Sequence, residues 1–527
     1  MACKILIAKT AGFCFGVHRA LEKALQTVRS TDDSIRTYGP LIHNEQVLDL
    51  LRLRGVEELS SGENIHNKNV VVRAHGISPN ARKNLKEQGA LICDATCPKV
   101  AQVQSIVKKY AGQGYSIIII GDAGHAEVEG LLGYCQGQGI VIAGPEQASR
   151  FDFPEKVCIV AQTTQSREVF EKTSAIIESK SRQIKIFDTI CNATSDRQAE
   201  TIRIARRSDV MIVIGGKNSA NTHRLVSIAQ KECRTIWIQG PDDIHAEMLQ
   251  DARRIGITAG ASTPAWLIRH VVEKLRTICS ENLNSVAKYL HRTFDYMLYL
   301  RLFLAISAGL VSIGFMNITG VNIRLIDAFL AVWVMWSWTV LYDQGSNNTF
   351  IYQRIMANQL VIKQYGLLVT FVIITGIVPM MAAVFSDFRH IMTLICVYLL
   401  IYLNVKLQGK SLALNTQGTT NNLYYFLKDV LHAGTAALSI VIYPALSLGN
   451  YTYGIFFAVI FIFCLTWMYG VAKDVRNMQM DLIGGRPSLP GQLSDFSFRI
   501  LIMAVLFFWT LATFVFIVIT PVPTAYL

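Results

Sequence analysis

No secretory leader opens this 527-residue chain: MACKILIAKTAGFC has neither a charged start with a long apolar stretch nor a small-residue cleavage site. Nor is there a disulfide framework, because the eleven cysteines are odd in number and the nine before residue 285 do not come in repeated short pairs. Both gaps argue against an exported, bridge-stapled domain. They place the first part of the chain in a reducing cytoplasm, where free thiols serve as ligands, catalysts or core. Long apolar runs are scarce before Tyr296 and crowd the sequence after it. A single core is excluded at this length, since cores divide at about 250–300 residues, so at least two domains are expected. The net charge is +12, and most of the lysines and arginines lie in the first part. It suits nucleic acid, a phosphorylated metabolite or an acidic lipid surface without choosing among them.

What the first 285 residues do contain is a pattern in triplicate. ILIAKTAGFCFGVHRALEKAL, ALICDATCPKVAQVQSIVKKY and IKIFDTICNATSDRQAETIRIA each read as a short apolar strand, a threonine-bearing turn, a cysteine and an amphipathic helix. Cys14, Cys97 and Cys191 thereby fall at the carboxyl ends of strands and the amino ends of helices, where α/β folds place ligands and where thiol pKa values drop. Three such units around a pseudo-three-fold axis would bring three thiolates to one point. Between them, apolar strands run into polar loops carrying His43, His75, His125 with Glu127, Thr163, Ser219 with Asn221, and Ser262. Loops of this composition can hold an anion.

Two centres compete for three thiolates. Zinc favours four closed ligands, or three and a water, usually with histidine among them. A [4Fe–4S] cluster takes one thiolate per iron, so three leave one iron open as a Lewis acid. Cys93, Cys158, Cys3, Cys135, Cys233 and Cys279 lie outside the repeated turn context.

AGFCFGVHRA, YGPLIHN, VVRAHGIS, DATCPKV, GHAEVEG, QTTQS, DTICNAT, GGKNSANT and TAGASTP, in this order over residues 4 to about 280, resemble the 4-hydroxy-3-methylbut-2-enyl diphosphate reductase family of the non-mevalonate isoprenoid pathway. The resemblance implies an α/β trefoil of three pseudo-repeated units around a [4Fe–4S] cluster held by Cys14, Cys97 and Cys191. It implies a diphosphate held by His43, His75, His125, Ser219, Asn221 and Ser262. Glu127 would pass a proton to the leaving hydroxyl, with Thr163 orienting both. Two electrons from a reduced ferredoxin or flavodoxin-type donor would then give isopentenyl and dimethylallyl diphosphates. The partner is thus a small-molecule diphosphate and not nucleic acid. Phe13 and Phe15 are expected to keep water from the cluster. Two positions depart from the family: KNSAN has Ala220 where a second serine is usual, and GHAEV has Ala126 for proline. A dehydratase built on the same three cysteines is the enzyme alternative, and it would need no reductant.

After Leu298 seven apolar runs, near 298–317, 325–342, 366–385, 390–407, 430–448, 453–472 and 499–520, approach the roughly 20 residues that span a bilayer. With the first domain in the cytoplasm, Arg354, Lys363, Lys406, Lys410, Lys428, Lys473, Arg476 and Arg486 fall in cytoplasmic loops, as the positive-inside rule asks. A multi-pass membrane protein in contact with lipid is expected. The loop YGVAKDVRNMQMDLIGGRPSLP resembles the UbiA-type prenyltransferases through Lys473, Asp474, Asp481, Gly485, Leu489 and Pro490. Ser488 and Asn477 depart from that pattern. The earlier loop offers only Asp343 and Asn347. Asp343, Asn347, Asp474 and Asp481 are candidates to hold Mg²⁺ against a diphosphate, in a domain that transfers prenyl groups or anchors the reductase. The expected division is an Fe–S diphosphate reductase domain at 1–280, a connector at 281–296 and an all-α UbiA-like transmembrane domain of about seven helices at 297–527.

Overall fold

The stretches SIIII, KVCIVA and VMIVI are buried along nearly their whole length. Continuous apolar strands of this kind belong in parallel sheets covered on both faces. The structure is a computed structural model describing residues 3–31 and 34–281 and, further on, helical stretches within 430–437, 459–475 and 500–511. The chain divides into two units, residues 1–284 and 285–527.

The first unit begins with β1 (Lys4–Ile7) and α1 (Phe15–Arg29). Next come β2 (Ile35–Tyr38), α2 (Glu45–Arg52), β3 (Val56–Glu58), β4 (Asn69–Val72), α3 (Pro79–Glu87), β5 (Leu91–Asp94) and α4 (Pro98–Ala111). A like series follows in β6 (Ser116–Ile120), α5 (Ala126–Leu132), β7 (Gly139–Ile142), α6 (Pro145–Arg150), β8 (Lys156–Ala161), α7 (Arg167–Lys180), β9 (Gln183–Phe187) and α8 (Asn192–Ala205). The unit ends with β10 (Val210–Ile214), α9 (Ala220–Gln230), β11 (Arg234–Ile238), β12 (Arg254–Ala259) and α10 (Ala265–Glu281).

These strands form three four-stranded parallel sheets, ordered β3-β2-β4-β5, β7-β6-β8-β9 and β11-β10-β12-β1. The third sheet takes its edge strand from the start of the chain: Lys4 to Ile7 pair in register with Arg254 to Ile257. The three units are therefore not three consecutive segments, and the domain closes into a ring. In each sheet the edge strand (β5, β9 or β1) leads into a cysteine and then a helix. The spacing that predicted α1 is met by Ala20, Leu21, Ala24 and Leu25, all at 3% exposure or less. Each leucine so buried contributes about 1.5–3 kcal/mol.

In the second unit Ala433, Trp467 and Val471 form a small core with Phe463, Met468, Leu501, Ile502 and Val505. Among the described residues no helix is long and apolar enough to cross a membrane. Most of the seven expected spans, with Asp343, Asn347 and Asp481, lie outside the described residues. Asp474 is described in a helix, with Oδ2 buried and unpartnered.

Candidate active site

Cys14, Cys97 and Cys191 are the N-cap residues of α1, α4 and α8. Their backbone N–H groups make the same bond in each unit, to a carbonyl two residues past the neighbouring strand: Cys97 to Ala74 at 2.9 Å, Cys191 to Thr163 at 2.9 Å and Cys14 to Ala261 at 3.1 Å. All three thiols are free. They stand close: a Cβ placed on Gly16 would lie 2.8 Å from Cys97 Sγ and 3.9 Å from Cys14 Sγ, so only glycine clears the sulfurs there. Burial raises the Cys97 pKa, as do Cys14 and Cys191, while the N–H groups of Lys99 and Val100 lower it. Converging thiols that repel one another's charge call for a cation between them.

Three thiolates with no histidine among them fall short of the four closed ligands of a structural zinc site. They suit a multi-iron cluster in which each thiolate takes its own iron. Among the described residues His43, His75 and His125 bring ligand atoms within 4.8 Å of one another. Cys135 and Cys158 are fully buried in an apolar core with Val103, Val107 and Leu131, and burial pushes both thiols up to about 12.

Phe15 is 70% exposed and does not shield the thiols, contrary to expectation. The residue after an N-cap opens the helix on its outer turn, and Pro98 and Asn192, at the same position in the other units, are exposed too.

The histidines come from loops after β2, β4 and β6. Their ring centroids are 5.1 Å (His43 to His75), 5.3 Å (His75 to His125) and 6.4 Å (His43 to His125) apart. Burial lowers all three pKa values, and the Arg73 guanidinium lowers them further; His125 falls to about 4 and His75 well below the ordinary value. His125 Nδ1 accepts the Glu127 N–H at 3.2 Å, so the neutral ring carries its proton on Nε2. His43 Nε2, His75 Nδ1, Asn221 Nδ2 and Arg73 Nε are buried without hydrogen-bond partners. Unpaired donors beside an arginine repel a metal ion and welcome an anion. Ser219 caps α9, its Oγ accepting the Thr222 N–H at 3.3 Å, which leaves the hydroxyl proton free to donate. The Ser262 hydroxyl donates to the His43 carbonyl at 3.0 Å, so it would have to exchange that bond to serve an anion.

A cavity of about 950 Å³ opens beside this cluster, lined by His43, Arg73, His125, Lys217, Ala220 and Arg224 among others. Glu127, Thr163 and His75 are not on its wall. Glu127 is 2% exposed, and its carboxylate accepts the Thr163 N–H and the Thr163 hydroxyl, each at 2.7 Å. Burial raises the Glu127 pKa against the opposing pull of Thr163 and Arg224. The Thr163 carbonyl is the one that holds the Cys191 N–H, so the buried acid and a cysteine turn share one residue. Arg73 and Arg224 escaped the sequence reading. Arg224 spans two units, reaching both Asp122 carboxylate oxygens at 3.0 Å and Gln165 Oε1 at 3.0 Å.

Fold and site together define a three-fold α/β enzyme that handles an anionic substrate beside a three-thiol centre. The chain matches the LytB protein family over residues 5–276 and belongs to it. It is similar to the 4-hydroxy-3-methylbut-2-enyl diphosphate reductases of Caldanaerobacter subterraneus subsp. tengcongensis (41% identity over 286 residues, 53% of this chain and 99% of the relative) and of Aquifex aeolicus (40% over 285 residues, 53% and 99%). Among solved structures it is similar to the E-1-hydroxy-2-methyl-but-2-enyl-4-diphosphate reductase from Plasmodium falciparum, with a TM-score of 0.50 and 27% identity over 52% of this chain and 88% of that one.

Proposed function

We propose that this chain is an oxidoreductase that converts (E)-4-hydroxy-3-methylbut-2-enyl diphosphate into isopentenyl and dimethylallyl diphosphates in the non-mevalonate pathway. The step consumes two electrons and two protons and releases water. The family match over residues 5–276 and identities of 40–41% to the named reductases over 285–286 residues support this reading. The observation that carries it is the sharing of Thr163 between the Glu127 carboxylate and the Cys191 turn.

Cys14, Cys97 and Cys191 fit a [4Fe–4S] cluster as its three thiolate ligands. Such a cluster supplies electrons and, at the iron without a thiolate, a Lewis acid. The rest is work for side chains. His43, His75 and His125, protonating as the anion arrives, give charge-assisted hydrogen bonds to the diphosphate. Ser219, Asn221 and the free N–H groups at the start of α9 add donors from a second side, and Ser262 a third. Glu127, its pKa raised by burial, would relay a proton through the Thr163 hydroxyl to the departing hydroxyl. A ferredoxin or flavodoxin-type protein is the donor that suits the first unit.

The test is turnover of the anaerobically reconstituted full chain with and without dithionite, products being identified by mass spectrometry. Loss of water from substrate without any reductant would make this a dehydratase instead.

For residues 297–527 the apolar runs favour a membrane anchor for the reductase, the Lys and Arg pattern a cytoplasmic first unit, and the loop bearing Lys473, Asp474 and Asp481 a UbiA-like domain. Resistance of the chain to carbonate extraction checks the anchor. Prenyl transfer lost in Asp474→Ala and Asp481→Ala with Mg²⁺ present checks whether those carboxylates catalyse.

A further inference from the structure

Arg197 on α8 is 4% exposed. Its guanidinium donates from Nη1 to the Ala259 carbonyl at 2.6 Å and from Nη2 to the Gly12 carbonyl at 2.9 Å. Both acceptors are backbone. Glu200, three residues on, is engaged instead by Arg203 and by the Thr10 N–H, each at 2.8 Å. A guanidinium buried on neutral partners costs several kcal/mol unless negative charge nearby offsets it. Beside the Glu200 carboxylate, the negative charge at hand is thiolate: Gly12 is two residues before Cys14, Ala259 two before the carbonyl that holds the Cys14 N–H, and α8 itself starts at Cys191.

We propose that Arg197 is a positioning residue that ties the Cys14 turn to the Cys191 helix and, as a buried fixed cation, raises the reduction potential of the cluster these cysteines hold. The inference rests on the three-thiolate reading above. Each electron added to a cluster increases its negative charge. A cation fixed in a dry interior is barely screened and favours the reduced form. Net charge and solvent exposure are among the levers that set such potentials. Glu200 acts in the opposite sense, because its carboxylate is 7% exposed on the same helix and offsets part of the Arg197 charge.

Spectroelectrochemical titration of the full chain, reconstituted anaerobically with iron and sulfide, tests this in the wild type, Arg197→Gln, Arg197→Lys and Glu200→Gln. Arg197→Gln is expected to disfavour reduction at least tenfold, a fall of about 59 mV for a one-electron couple. Arg197→Lys keeps the charge and most of the potential. Glu200→Gln shifts the potential upward. A cluster-loaded Arg197→Gln at the wild-type potential overturns the proposal, as does a downward shift in Glu200→Gln, which would mean that any disturbance of this helix has the same effect. Should Arg197→Gln take up no cluster, Glu200→Gln decides: a rise supports the proposal and an unchanged potential overturns it. A wild type whose iron content shows no three-thiolate cluster overturns the functional reading itself, before any potential is measured.

Discussion

Replacing Gly16 with alanine tests the geometry of the three-thiol centre with one methyl group. Its Cβ would sit 2.8 Å from Cys97 Sγ, 3.2 Å from Cys97 Cβ and 3.9 Å from Cys14 Sγ. Ordinary contacts between such atoms are about 3.5–4.0 Å, so the Cys97 sulfur must retreat by roughly 0.7–1.2 Å. Its backbone cannot follow easily, because the Cys97 N–H is held by Ala74 and Pro98 fixes the next φ. Over-packing of this kind costs about 1–3 kcal/mol, while exchanging glycine for alanine in a helix returns up to about 1 kcal/mol. The net loss is about 0–2 kcal/mol, and the melting temperature should fall by no more than about 8 °C. Ligand positions, however, tolerate only about ±0.2 Å. Gly16→Ala should therefore fold and lose most of its iron and sulfide, which metal analysis and absorbance after anaerobic reconstitution would read. Gly130→Ala, whose nearest neighbour is His75 O at 3.7 Å, should keep both. A Gly16→Ala protein with wild-type iron content would refute the claim that Cys97 faces the start of α1 as a ligand.

Three further outcomes are expected. Ala220→Ser adds a hydroxyl at the start of α9 on the cavity wall and should tighten pyrophosphate binding by about 0.5–1.5 kcal/mol, or roughly two- to tenfold, in calorimetry; weaker binding would place the anion elsewhere. Thr163→Val removes the hydroxyl that donates to Glu127, a bond of about 1.5–3 kcal/mol to a carboxylate. Turnover should drop at least tenfold with KM little changed, and the Glu127 pKa should rise further. Burial holds His125 at about 4, below its ordinary 6.5. The unfolded chain then binds more protons between those values, so this part of the stability is present above pH 6.5 and drains away toward pH 4. A bound anion raises the histidine pKa values, so pyrophosphate affinity should climb as pH falls from 7 toward 5, with proton uptake measurable in buffers of different ionisation enthalpy.

The cysteine triplet was legible because each copy carries its own strand, turn and helix signals within about twenty residues. The polar loops were legible for the same reason, lying directly behind buried runs such as SIIII and VMIVI. Ring closure was not. The pairing of Lys4 with Arg254 joins the two ends of the unit, and no local pattern encodes a contact at that separation. Arg197 escaped notice because SDRQAE reads as a solvated helix face, whereas the fold buries it against two carbonyls. Phe15 went wrong the opposite way: hydrophobicity suggested burial, but the first position of a helix points outward.

The edge strand of the third sheet also sets a clock. During synthesis β1 is made first and its partner β12 last, about 250 residues later. At roughly 5–20 residues per second the wait is on the order of 10–50 s. Cys97 and Cys191 can reach their turns as their own sheets form, but Cys14 cannot join them until β12 has left the ribosome. Loading of a centre that needs all three cysteines therefore waits for β12, and a chain cut short before residue 254 lacks the strand that brings Cys14 to the other two.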